Sequence, residues 1–199
     1  MPTTPSPERR RAAAIAGHVG DVATAAAALA DPQADVRIAG LRSLARLEEL
    51  DEHALVRALA DPAPEVRIAA LELAARQAEP DLRASLDDAE PMVVEAAAWA
   101  LGERSDLGAV ARLSEIATSH DEPLAREAAV AALGAIGDPS GLSAILAATR
   151  DKPAIRRRAI VCLAPFEGPE VDAAFARARS DRDRQVRDAV DELLGPEED

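Results

Sequence analysis

A chain of 199 residues is long enough for one large domain or a small repeat array. Its 23 basic and 36 acidic residues leave a net charge of −13, which speaks against phosphate backbones and anionic membranes as main partners, since basic surfaces bind both. Almost half the residues are hydrophobic, yet tyrosine is absent, phenylalanine occurs twice and tryptophan once. Alanine and leucine therefore fill the core, which suits closely packed helices because alanine is the best helix former and lets helix axes approach. The single cysteine, Cys162, excludes an internal disulfide framework, and no Cys/His cluster suggests zinc.

Residues 1–7 (MPTTPSP) read as a disordered polar tail, and ERRRAAAIAGHVGD after them reads as an alanine-rich helix, a leading half repeat. No leucine-rich secretory segment is present and no run approaches a membrane span, so a cytoplasmic location is expected. From residue 31 one pattern dominates. DPQADVRIAGLRSLARL (31–47) returns as DPAPEVRIAALELAARQ (61–77). It returns more loosely as DAEPMVVEAAAWALGER, DEPLAREAAVAALGAIG, DKPAIRRRAIVCLAPFE and DRDRQVRDAVDELLGPE. Aligned on Val36, Val66, Val93, Ala125, Ile155 and Val186, the intervals are 30, 27, 32, 30 and 31 residues. Between these motif helices the sequence predicts partner helices at about 21–30, 51–60, 80–87, 107–119, 139–150 and 169–180. Each connecting loop carries Asp, which suits an N-cap, and usually Pro, which suits a helix start. No segment alternates with period two, so no sheet is expected. The repeat array is expected over 8–195, with 196–199 as an acidic tail.

Counting the aligned residue as position 1, positions 1, 5, 8 and 9 are apolar or small in every unit, as in Val66, Ala70, Leu73 and Ala74. At 100° per residue they form one stripe, expected to pack on the partner helix. Position 6 reads Leu41, Leu71, Ala98, Val130, Ile160 and then Asp191. Five apolar residues are expected to face the next repeat, and the sixth is acidic, as a terminal repeat requires.

The pattern D-P-x-x-x-V-R-x-x-A-x-x-x-L-G is nearly intact around Asp61, Val66, Arg67 and Ala70, and its tail recurs as Leu101-Gly102 and Leu133-Gly134. It resembles the HEAT family, particularly the short variety of phycobilisome-lyase-like proteins, over about residues 21–195. The resemblance implies an all-α, right-handed α-solenoid of about six helical hairpins. It also implies a ladder joining adjacent repeats, built from Asp31, Asp61, Asp88, Asp121, Asp151 and Asp181 with Arg37, Arg67, Arg126, Arg156 and Arg187. Val94 departs from it in the third repeat.

Three functional branches of such folds can be weighed against these residues. Deoxyhypusine hydroxylases carry His-Glu pairs where this chain has Val94-Glu95 and Arg126-Glu127, and His18, His53 and His120 sit in different repeats near loops or helix ends. An iron site needs imidazole and carboxylate ligands that converge, so the oxygenase reading is rejected. HEAT-like DNA glycosylases need a basic channel with several aromatics, which an acidic chain with one tryptophan does not supply. In its densest basic run, Ala154 to Ile160, Arg156 is the ladder residue and Arg157 and Arg158 read as exposed charges. Bilin lyase subunits share only the generic repeat. No GxSxG, P-loop or glycine-rich nucleotide motif occurs, and Cys162 falls at core position 8.

Trp99 stands at position 7, roughly opposite the core stripe, on the side that lines the concave surface of a solenoid of this type. The resemblance to HEAT repeats implies polar residues at positions 3 and 7, but Ile38, Ile68, Trp99 and Val161 are exceptions, and Glu72, Glu95 and Glu127 flank them. An aromatic anchor among charges is the composition of an interaction hot spot. The alternative for the ring is to fold over small neighbours Ala96, Ala98 and Ala100. The expected function is a protein-interaction scaffold that binds a polypeptide segment of basic and apolar character through Ile38, Ile68, Glu72, Glu95, Trp99, Glu127, Arg157 and Val161. No catalytic residue, cofactor, metal, nucleic acid or membrane partner is expected, and the chain is expected to be monomeric. The competing expectation is a lyase-like or chaperone-type subunit that handles a cofactor and a protein substrate in the same groove.

Overall fold

Every secondary-structure element among the described residues is helical; the computed structural model describes residues 6–195, so of the expected tails at 1–7 and 196–199 only Ser6 and Pro7 are described, and they belong to the first helix. The chain divides after Leu82 into two compact units. The first holds α1 (Ser6–Val19), α2 (Val22–Ala28), α3 (Ala34–Arg46), α4 (Glu52–Leu59) and α5 (Pro64–Ala74). The second opens with a 3₁₀ turn (Arg83–Asp87) and continues with α6 (Pro91–Glu103), α7 (Val110–Ser119), α8 (Pro123–Ile136) and α9 (Leu142–Ala148). It ends with α10 (Pro153–Cys162), α11 (Pro169–Arg179) and α12 (Arg184–Leu194). The motif helices are α3, α5, α6, α8, α10 and α12, and four of them begin on proline, whose missing N–H and fixed φ suit a first helical turn.

Three local expectations are corrected. The predicted helix at 80–87 is only the 3₁₀ turn at Arg83–Asp87, because the 27-residue interval leaves nearly one turn less chain than elsewhere. Apart from Asp183 on α12, the loop aspartates do not cap the motif helices. Asp31, Asp61, Asp88 and Asp181 instead accept from the N–H two residues on, at 2.8–2.9 Å, closing Asx-turns ahead of the helix start. Among the described residues the α-helices with a side-chain N-cap are α2, α4 and α12, capped by Asp21, Asp51 and Asp183, while Asp106 and Asp138 cap the 3₁₀ turns that lead into α7 and α9. Finally, the core stripe fails at its last two positions, where Leu193 and Leu194 are exposed. Pro165 ends α10 one turn early, so α12 has no helical surface to pack on there.

Elsewhere the stripe is buried except at the half-buried Leu73, and position 6 is buried in all five apolar cases while Asp191 lies in solvent and accepts from Arg179 at 3.0 Å. Position 8 packs on position 10 of the preceding motif helix. A Cβ added at Gly134 would sit 2.5 Å from the Cys162 Cβ, and one at Gly102 would sit 3.1 Å from the Ala132 Cα. Glycine there lets the two backbones meet. In the first unit Gly17 meets Ser43 in the same way, and the Ser43 hydroxyl donates to the Ala13 carbonyl at 2.8 Å. Helix α1 is thus a motif-type helix, with Ala16, Ala25 and Leu44 closing the core between α1, α2 and α3.

The arginine ladder ties hairpin to hairpin. Arg37 forks onto Asp61 of the next repeat through Nε (2.8 Å) and Nη2 (2.6 Å), while its Nη1 donates to the Asp31 carbonyl of its own loop at 2.9 Å. Arg126 with Asp151, and Arg156 with Asp181, repeat this arrangement. Arg9 supplies a rung to Asp31 that the motif frame did not contain. The pairing arginines hold Asp31, Asp151 and Asp181 below the usual carboxylate range. The third rung is replaced at both ends. Val94 is buried where the arginine stands elsewhere, and the residue six before Arg126 is His120, not the expected Asp121. His120 Nδ1 accepts from the Glu122 N–H, so an imidazole closes the turn where an aspartate would lack its arginine.

Candidate partner-binding groove

Helix α6 buries Val93, Val94, Ala97, Ala98, Ala100 and Leu101, a set that leaves position 7 on the opposite side. Trp99 is accordingly 45% exposed, and alanine methyls rather than the indole fill the core around it. The ring borders a groove of about 410 Å³ in the second unit. Glu95, Trp99 and Glu103 of α6 form one wall, Leu124, Glu127 and Ala131 of α8 the other, and Arg158 of α10 closes the end. Partial burial, reinforced by the Glu127 carboxylate, pushes the Glu95 carboxyl above its ordinary value. Arg158 Nε lies 3.6 Å from Glu127 Oε1, and that nitrogen is buried without a hydrogen-bond partner. The surface of this groove is an indole face, apolar side chains and three carboxylates, Glu95, Glu103 and Glu127, against one guanidinium. Such a surface suits a cationic group carried on an apolar segment.

A second groove of about 430 Å³ in the same unit contains Arg157 and Val161, with Asp188 and Glu192 from α12, and Arg158 lines this one too. The structure therefore brings Glu95, Trp99 and Glu127 together and places Arg157 and Val161 in the adjoining space. The remaining expected residues belong to the first unit. Ile38 sits in a separate groove among Arg10, His18, Arg42 and Arg46, Ile68 is half-buried, and Glu72 pairs with Arg42 at 3.4 Å. The sequence reading missed Leu124 and Arg158. Leu124, 43% exposed, precedes Glu127 by three residues and Ala131 by seven, and that spacing of one helix face was the signal available in the sequence. Arg158, read as an ordinary exposed charge, is a wall of both grooves.

Cys162 is buried beneath Gly134, and burial pushes its thiol up to about 11. His18 and His53 are exposed, and His120 serves its turn. Among the described residues no group of three or more His, Cys, Asp or Glu is placed to hold a metal ion, and no helix is long and apolar enough to cross a membrane.

No curated protein matches the chain. Among solved structures, YibA of Escherichia coli is similar over 96% of this chain and 75% of that one, with 14% identity and a TM-score of 0.67. Human deoxyhypusine hydroxylase is similar over 97% and 80%, with 19% identity and a TM-score of 0.50. A designed armadillo repeat protein, solved in complex with the peptide (KR)4, is similar over 94% and 89%, with 15% identity and a TM-score of 0.51. At these identities the likeness is one of fold, an all-α solenoid of helical hairpins. The model of HEAT repeats matches residues 52–133 and again 110–195, more than half of the chain. The protein belongs to the HEAT-repeat family.

Proposed function

We propose that the protein is a monomeric, cytoplasmic interaction scaffold of the short, phycobilisome-lyase-like repeat variety, and that its Trp99 groove takes a polypeptide segment of basic and apolar character. The observation that carries this reading is the single tryptophan, 45% exposed in a slot that holds Arg42, Glu72 and Glu192 in three other repeats, beside Glu95 and Glu127. A ring committed to the core would be covered, and a solvent-facing slot filled only for solubility would hold Glu or Arg, as positions 72 and 42 do. Trp is also the residue whose burial at an interface contributes most. The designed armadillo protein solved with (KR)4 shows a basic peptide bound by a protein of similar fold, which is in keeping with this reading.

Arg157 and Val161 extend the surface into the adjoining groove. Ile38, Ile68 and Glu72 are proposed as further contacts supplied by the first unit. The test is affinity capture from the source lysate with wild type and Trp99→Ala in parallel. A polypeptide retained in stoichiometric amount by wild type and lost with Trp99→Ala supports the proposal; identical capture by the two proteins overturns the role of Trp99.

A further inference from the structure

Resting on that reading of the groove, we infer that it reads a single arginine side chain, and that Arg158 is a resident guanidinium which the arginine of the bound segment displaces. The ladder shows what a satisfied arginine looks like in this protein. Arg156 places Nε and Nη2 on the two oxygens of Asp181 at 2.8 and 2.7 Å. Arg158 has no such fork. Its Nε lies 3.6 Å from Glu127, beyond hydrogen-bond reach, and is buried with no partner. A buried donor left unmade is a penalty in the free protein, and it is relieved when the side chain moves.

The destination is adjacent. Arg158 already lines the second groove, where Asp188 and Glu192 offer carboxylates. Its departure frees Glu127, and Glu127 with Glu95 and the face of Trp99 then bounds the space on its polar and aromatic sides. A planar guanidinium stacks on an indole while donating in its own plane, which an ammonium does not do. Burial first, and the Glu127 carboxylate second, raise the Glu95 carboxyl, and an added cation in the groove offsets both. Leu124 and Ala131 provide apolar contact for the residues that flank the arginine.

The experiment uses the full chain and Trp99 fluorescence, titrated with the peptide Gly-Ser-Leu-Arg-Leu-Ser-Gly and with its lysine and citrulline counterparts. Citrulline keeps the shape of arginine and removes its charge. The arginine peptide should bind about tenfold more tightly than the citrulline peptide and several-fold more tightly than the lysine peptide. Arg158→Ala and Arg158→Gln should each tighten the arginine peptide by roughly fivefold or more, while Arg150→Ala, the same charge change at an exposed arginine lining neither groove, should shift it by less than about twofold. Equal tightening by Arg158→Ala and Arg150→Ala would reduce the effect to net charge and overturn the displacement. Equal binding of all three peptides, or binding of none, would overturn arginine reading. Because the capture experiment with Trp99→Ala does not depend on arginine, it judges the broader proposal separately.

Discussion

The ladder predicts that truncating Arg156 destabilises the C-terminal hairpin far more than truncating a neighbouring surface arginine. Arg156 makes three charge-assisted hydrogen bonds, two to Asp181 at 2.8 and 2.7 Å and one to the Asp151 carbonyl at 2.9 Å. Its side chain is only 9% exposed and that of Asp181 15%. Breaking a fully buried pair costs about 3–5 kcal/mol, and an exposed pair contributes about 0–1 kcal/mol. Asp181 keeps its bond from the Asp183 N–H at 2.8 Å, so the carboxylate left behind is not wholly unsatisfied. Arg156→Ala should therefore lose about 2–3 kcal/mol. Arg184→Ala, on a side chain that is 82% exposed and 3.4 Å from Asp188, should change stability by less than about 0.5 kcal/mol. Urea unfolding of the full chain gives the midpoints, and amide exchange locates the loss, which should concentrate in α11 and α12 because each repeat leans on its neighbour. Equal midpoints for the two variants, or uniform loss of protection along the chain, would refute the ladder as the tie between hairpins.

The paired aspartates also set the acid limit. Arginine pairing depresses Asp31, Asp151 and Asp181 in the folded state, so their contribution is fully present above the unfolded carboxylate value near pH 3.9 and is lost as pH falls through the lower folded values. The urea midpoint should hold from pH 7 to about 5 and fall below about 4, with Arg156→Ala losing part of that acid sensitivity; a steep fall already between pH 7 and 5.5 would contradict this. Gly134→Ala should destabilise by about 1–3 kcal/mol, since the new methyl would meet Cys162 Cβ at 2.5 Å and its Cα at 3.0 Å; an unchanged midpoint would show that the helices part freely. With its thiol near 11 and covered, Cys162 should react with a disulfide reagent at neutral pH only at the rate of unfolding, and rapid stoichiometric labelling of the native chain would show that it is accessible.

The repeat was legible because one register recurs six times, so the burial of Val36, Val66 or Ile155 could be read without coordinates. Register errors account for most of what was missed. An aspartate two residues before the N-cap and one at the N-cap look alike in a sequence, yet Asp31 closes a turn while Asp183 caps. His120 and Asp121 are neighbours, and only the geometry of Arg126 shows that the histidine holds the ladder slot. Trp99, Glu95 and Glu127 were recoverable because positions 3 and 7 share a face on any helix. Arg158 was not, because its role depends on how α10 lies against α8. The spacing of residues within one helix does not encode that.

Intrinsic fluorescence tests the groove most directly, because Trp99 is the only tryptophan and the chain has no tyrosine. With the captured polypeptide added back to the purified protein, acrylamide quenching of Trp99 is measured before and after binding. The free protein should emit like a solvated indole and quench readily; binding should shift the emission to the blue and protect it. Emission that is already blue-shifted and protected in the free protein, or that the bound partner leaves unchanged, would show that the ring does not meet the partner.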